Sequence, residues 1–258
     1  MSSLTLLYWF ALGAVIGSFL NVCIYRLPRG ESVVFPASRC PHCGRRLNAF
    51  DLIPIFGYLL LLGKCRGCRA PISPRYPLVE ALTGLLFLLI VGQGGGDPAR
   101  LIFTAFVVCC LIVVFFIDLE LQVIPDAVNI AGTAAGLVYN LSRGLADFFL
   151  PALAGMFAGY LLMFLIGKLG TFLFKQEALG EGDMYLAAML GACLGWSGML
   201  LAVFLGYLAA ALVLLVLLAA GRVKMGQQVP FGPALAAGGV IVLLWGEQII
   251  HWYLFLMI

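Results

Sequence analysis

From Met184 to Gly221 the chain runs for thirty-eight residues without a charged side chain. In lipid every backbone N–H and C=O must be satisfied within its own segment, so stretches of this kind fold as spanning α-helices. The rest of the chain agrees. Hydrophobic residues make up 63% of it, charged residues only 10%, and mean hydropathy is +1.09. A soluble domain carries about a quarter of its residues as charges. An integral membrane protein with many passes is the expected class.

A span needs about 20 predominantly apolar residues. Eight segments meet or approach that length: 4–24, 77–93, 99–117, 123–140, 147–167, 182–197, 198–220 and 232–257. The sixth is short and is separated from the seventh only by Gly195-Trp196-Ser197-Gly198. The first lacks a small-residue cleavage site and reads as a retained helix. The expected fold is all-α and polytopic, with about eight transmembrane helices and one small zinc-binding cytoplasmic loop domain. Its parts would be a first helix in 1–25, a cysteine-bearing loop in 26–76 and a seven-helix core in 77–258.

Lysine and arginine give the expected orientation. Between Arg26 and Arg75 lie nine of the fifteen basic residues. With that loop on the cytoplasmic side, Lys168, Lys175, Arg222 and Lys224 also fall inside, and only Arg100 and Arg143 fall outside. Eight spans then put both termini outside. The net charge of +3 thus speaks to topology and anionic lipid, with the bilayer itself as a partner. No basic and aromatic surface suggests nucleic acid.

The polar loop holds Cys40-Pro41-His42-Cys43 and Cys65-Arg66-Gly67-Cys68. Two C-x2-C pairs present four sulfurs, the set that a tetrahedral structural zinc takes. Gly44 and Gly67 are candidates for the backbone freedom of the two turns. Disulfides are the alternative, disfavoured where the cytosol keeps thiols reduced. His42 finds no place in a four-cysteine set. Residues 52–62 are apolar but too short to span, which predicts a packed or membrane-surface segment. Cys23, Cys109, Cys110 and Cys193 lie in apolar spans and read as small hydrophobes.

Ionisable groups inside spans are costly and by default functional. Two clusters stand out: Ile117-Asp118-Leu119-Glu120, followed by Ile124-Pro125-Asp126, and Gly180-Glu181-Gly182-Asp183. Both fall on the cytoplasmic side of the expected topology. Two carboxylates held face to face share a proton. One can then deprotonate water while the other protonates a scissile carbonyl. The alternative is that these carboxylates are solvated loop ends or helix caps, as at Asp126. Two further classes compete: a transporter with a carboxylate proton relay, and a zinc-bearing membrane scaffold without catalysis.

Several motifs occur in one order: Gly17-Ser18-Phe19-Leu20-Asn21-Val22, then Arg26-Leu27-Pro28, the two cysteine pairs, and Ile72-Ser73 through Arg75-Tyr76-Pro77 to Val79-Glu80. Asp118 with Ile124-Pro125-Asp126 follows, then Gly180-x-Gly182-Asp183 and Val229-Pro230-Phe231-Gly232-Pro233. In this, the chain resembles the bacterial type IV prepilin leader peptidases, which are Gly-x-Gly-Asp membrane aspartyl proteases. The resemblance implies that Asp118 and Asp183 are the catalytic pair and that the four cysteines hold a metal. It implies cleavage of the basic leader of prepilins and pseudopilins, followed by N-methylation of the new N-terminus from S-adenosylmethionine. One departure is Tyr185, where that family usually carries lysine. The methyl-transfer half rests on the resemblance alone, since no dinucleotide-type fingerprint occurs and Gly94-Gly95-Gly96 falls in an expected outside turn. Arg75 and Glu80, at the entry to the second span, are the expected contacts to the cofactor or the substrate amine, with pairing to a cation as the alternative for Glu80.

Overall fold

The computed structural model describes residues 2–93, 97–175, 179–223 and 229–256, so Gly94–Gly96 and Lys224 lie outside the described residues. Among the described residues there is no β-strand, only two isolated bridges. The chain divides into two compact units, Met1–Asp97 and Pro98–Ile258.

The first unit is built on α1 (Ser3–Arg26) and α3 (Arg75–Gly92), with the short α2 (Phe56–Leu60) in the loop between them. Small residues decide how α1 and α3 meet. A Cβ on Gly13 would stand 2.9 Å from the Gly84 Cα, and one on Gly17 would stand 2.8 Å from the Glu80 Cα. Without side chains there the two backbones approach closely and lie antiparallel, as small residues permit between membrane helices. At the end of α1 the buried Arg26 donates to the carbonyls of Ser32 (2.8 Å) and Pro36 (2.7 Å), tying the loop to the helix end. The apolar stretch 52–62 follows a short 3-10 turn (Ala49–Leu52) and holds only the five-residue α2, not a span.

The second unit holds α4 (Pro98–Leu121), α5 (Asp126–Arg143), α6 (Leu150–Phe174), α7 (Glu181–Ala219) and α8 (Gly232–Leu256). The expected sixth and seventh spans are continuous in α7, broken at Gly195, where the backbone takes φ 71, ψ 179. Its first limb packs antiparallel to α6, Gly159 against Ala187 and Gly155 against Gly191. Its second limb runs back: Gly206 meets Leu235, Gly238 meets Ala202, and the Tyr207 hydroxyl lies 4.0 Å from the Met163 sulfur of α6. One glycine in a conformation closed to other residues thus makes the turn for which four residues were expected.

Among the described residues six helices are long and apolar enough to cross a membrane: Ser3–Arg29, Arg75–Gly92, Pro98–Leu121, Leu145–Leu173, Glu181–Ala219 and Gly232–Tyr253. The α5 helix is not among them. It carries Asp126, Asn129, Asn140 and Arg143, and it buries Val128, Asn129, Gly132, Gly136 and Asn140 along one face. Large apolar side chains such as Phe157, Leu161, Leu165, Phe204 and Leu212 stay exposed, as expected of surfaces turned to lipid.

Candidate active site and metal centre

In the second unit Asp118 sits in the last turn of α4. The helix stops at Gln122 (φ 55), whose amide donates to the Asp118 carbonyl at 2.9 Å. The chain then extends to Pro125, which caps α5. This short connection places Ile124 at the start of two other helices. A Cβ on Gly182 would stand 2.9 Å from the Ile124 Cβ, and one on Gly232 would stand 3.1 Å from its Cδ1. Gly182 is the residue before Asp183, in the first turn of α7, and Gly232 opens α8.

Asp118 and Asp183 therefore converge at one end of the second unit. The Gly232 amide faces the Asp118 carboxyl, and the Asp118 charge reaches Asp183. Both side chains are buried, at 6% and 9% exposure. One carboxyl oxygen of each, Oδ2 of Asp118 and Oδ1 of Asp183, has no hydrogen-bond partner among the described residues. Buried acceptors left unpaired are costly, and a substrate or reacting water is the natural donor. Glu120, Asp126 and Glu181 from the same clusters are exposed instead. Tyr185 is turned away toward α6, its ring 5.7 Å from that of Tyr160. Tyr207, from the returning limb of α7, lies within electrostatic reach of Asp183, with its ring 4.6 Å from Phe231. The sequence reading missed this residue because only the turn at Gly195 brings it back.

In the first unit the sulfurs of Cys40, Cys43, Cys65 and Cys68 all lie within 4.8 Å of one another, with Cys40 and Cys68 3.9 Å apart. Four sulfurs around one tetrahedral zinc stand ~3.8 Å apart, whereas a disulfide brings two to about 2.05 Å. The four cysteines are free thiols, so the cluster has the dimensions of a metal site. Two matching knuckles build it. The Cys40 amide donates to Arg45 O (2.9 Å) and Gly44 N to Cys40 O (2.9 Å); the Cys65 amide donates to Ala70 O (2.8 Å) and Arg69 N to Cys65 O (3.0 Å). The positive-φ position is Gly44 (φ 69) in the first knuckle, but in the second it is Arg69 (φ 61), not the expected Gly67. Gly67 contributes space, since a Cβ there would press on the Arg45 side chain at 3.2 Å. The amides of Cys68 and Gly67 pull the Cys65 thiol down to about 6. The Ala70 amide also favours a thiolate at Cys68, but burial and the neighbouring sulfurs of Cys43, Cys65 and Cys40 outweigh it and push Cys68 up to about 11. The Cys65 thiolate forms readily while Cys68 resists, the imbalance that a divalent cation removes. His42 is exposed and outside the cluster.

Beside the metal site the first unit encloses a cavity of about 550 Å³, whose walls include Asn21, Tyr25, Tyr58, Tyr76 and Glu80. Of the two residues expected to touch a cofactor, Glu80 lines it and Arg75 does not. Arg75, the first residue of α3, lies over the ring of Tyr76 at 5.3 Å. Glu80 is buried, accepts from the Ile55 amide at 2.7 Å and is approached by the Ser18 hydroxyl.

Comparison with known proteins follows this division. Residues 11–93 match the bacterial peptidase A24 N-terminal domain, and residues 105–216 match the type IV leader peptidase family. A prepilin leader peptidase/N-methyltransferase of Aeromonas hydrophila is 36% identical over 95% of this chain and 92% of its own length. The chain belongs to the type IV leader peptidase family. Further relatives carry the same description. One from Myxococcus xanthus (strain DK1622) is 42% identical over 83% of this chain and 64% of its own, and one from Burkholderia pseudomallei (strain 1026b) is 35% identical over 95% and 87%. No solved structure matches. The N-terminal match contains the four cysteines, Asn21 and Glu80, and the leader peptidase match contains both buried aspartates.

Proposed function

We propose that this protein is a bifunctional prepilin leader peptidase and N-methyltransferase of the bacterial inner membrane. The observation that carries the reading is the meeting of two buried, incompletely paired carboxyls at the ends of α4 and α7, in a chain of the leader peptidase family. The substrates would be prepilins or pseudopilins, cut at the cytoplasmic face.

One of Asp118 and Asp183 is ionised and accepts a proton from water as its oxygen attacks the scissile carbonyl carbon. The other, protonated, donates to the carbonyl oxygen. Collapse of the tetrahedral species breaks the C–N bond, and the leaving amine takes its proton from the dyad. The Gly232 amide, facing Asp118, helps hold that carboxyl in place.

For the second activity the cavity of the first unit is the candidate site. Its volume of about 550 Å³ falls in the range that takes a drug-sized ligand. Tyrosine rings suit a purine face, and the Glu80 carboxyl suits hydroxyl or ammonium donors. S-adenosylmethionine, when bound, supplies an electrophilic methyl group. Glu80, not Arg75, is the residue we assign to this site. A structural zinc would be held by Cys40, Cys43, Cys65 and Cys68, cross-linking a loop too small to carry a core of its own.

We further read the chain as crossing the bilayer eight times, counting α5 and both limbs of α7, with both termini outside and the cysteine loop and Asp118–Asp183 pair at the cytoplasmic side. At 18 residues, α5 is ~27 Å long, close to the thickness of the hydrocarbon core.

The deciding experiment incubates the purified protein with a prepilin, with and without S-adenosylmethionine, and weighs the products by mass spectrometry. Loss of the leader in both reactions, with one added methyl group only when the donor is present, is expected. A transporter or scaffold leaves the prepilin intact.

A further inference from the structure

Asn21 lies in α1, in the middle of an apolar sequence, and is 1% exposed. Its Nδ2 donates to two carbonyls, Gly17 O at 3.3 Å and Tyr76 O at 3.1 Å. Carbonyl oxygens only accept, so both bonds require the nitrogen of the amide, and the orientation of the side chain is settled. Its Oδ1 is left buried, with no donor among the described residues. Asn21 lines the 550 Å³ cavity, and so does Glu80.

The packing of α1 on α3 brings these two acceptors together. Gly17 abuts Glu80 and Asn21 bonds to Tyr76 O, so each residue of the pair is one helical turn from the other's partner, about 5.4 Å along the axis. The Glu80 carboxyl is held by an unusual device. The Ile55 amide that donates to its Oε2 belongs to a β-branched residue at φ 66, ψ −54. The adjacent Phe56 amide bonds to Pro54 O at 2.6 Å across this three-residue turn. Such a γ-turn is strained for isoleucine, and backbone strain of this kind persists where the surroundings enforce it, commonly at functional sites. Here the strained turn aims an N–H at one carboxyl oxygen.

We propose that Asn21 Oδ1 and the Glu80 carboxyl form a subsite for a primary ammonium or amine group. One acceptor is an amide oxygen left unpaired and the other is a carboxyl, and among the common polar groups a primary amine, with several N–H donors on one atom, matches both. This rests on the methyltransferase reading and deepens it. Two ligands carry the group: the new N-terminus of the cleaved pilin and the amino-acid end of S-adenosylmethionine.

The test measures binding to the full-length protein in detergent with two ligand pairs. The first is a peptide of the cleaved pilin N-terminus with a free α-amine, against its Nα-acetylated form. The second is S-adenosylmethionine against an analogue lacking the α-amino group. Wild type is expected to prefer the amine-bearing member of at least one pair by about tenfold or more, as a charge-assisted hydrogen-bonded group should. Glu80→Gln and Asn21→Leu should each bring that ratio close to one. If Asn21→Leu fails to fold, as judged by thermal unfolding, Asn21→Ser replaces it. Collapse of the peptide ratio assigns the subsite to the pilin amine, and collapse of the cofactor ratio assigns it to the cofactor. Ratios near one in wild type overturn the proposal. So does a variant of either residue that weakens both members of a pair equally, which is what a merely structural role does. Turnover is read separately: a wild-type protein that does not methylate cleaved pilin overturns the methyltransferase reading, whatever the binding ratios.

Discussion

Gly232 stands against Asp118 so closely that a Cβ on the glycine would come within 2.7 Å of the aspartate Oδ2. The first residue of α8 thus sets the position of a carboxyl at the end of α4. Gly232→Ala must push the Asp118 side chain aside or shift α8, because Ile124 closes the other side at 3.1 Å. Leader cleavage is expected to slow by about tenfold or more, equivalent to roughly 1.4 kcal/mol of barrier. Gly92→Ala, with nothing within 4 Å of the added atom, serves as the control and should cleave normally. Equal rates for the two variants would remove Gly232 from the site.

Asp118→Asn and Asp183→Asn should each abolish cleavage, and to the same order, because the pair works as a unit. Asp126→Asn should be much milder, since Asp126 is exposed in the first turn of α5. Initial rates on a purified prepilin decide this. A single dyad variant retaining more than a few per cent of wild-type activity would falsify the catalytic assignment.

Metal analysis of the purified protein should find about one zinc per chain. Cys40→Ser combined with Cys43→Ser should lose it. The loop from Ser38 to Ile72 should then become sensitive to added protease, because metal binding supplies its folding energy. A metal-free protein with a protease-resistant loop would show that packing alone orders the segment.

The contact between α6 and α7 should be intolerant of added volume. A Cβ on Gly191 would lie 2.1 Å from the Gly155 carbonyl oxygen, and backbone cannot swing away as a side chain end can. Gly191→Ala should cost about 1–3 kcal/mol of stability, visible as a lowered unfolding temperature in detergent. An unchanged midpoint would mean that the two helices separate more easily than their packing implies.

Much of this protein is legible along the chain because a bilayer simplifies the problem. Long uncharged runs can only be helices, so the helical class and most helix positions follow from local hydropathy. The cysteine pairs and the two aspartates are legible for a related reason. Thiols in matched pairs and carboxylates in apolar surroundings are too costly or too specific to be incidental. The boundaries were less so: α5 starts at Asp126, not at 123, because Pro125 supplies its cap.

Other features depend on which helices meet, and local composition does not contain that. Tyr207 reaches the neighbourhood of Asp183 only because Gly195 reverses α7. Gly232 matters only because α8 begins beside the end of α4, and Arg69 carries the turn expected at Gly67 because hydrogen-bond closure, not residue type, selects the positive-φ position. Asn21 carried a signal, a lone amide in an apolar span, yet its significance lies in an unpaired carbonyl oxygen on a residue that lines the same cavity as Glu80. The sequence by itself determined most of the helices, the two cysteine pairs and the pair of buried acids, because those follow from what lipid and a shared polar centre demand of individual residues. Only the tertiary structure decided which groups face one another, because that depends on close helix approach at glycines and on turns whose partners lie far away in the chain.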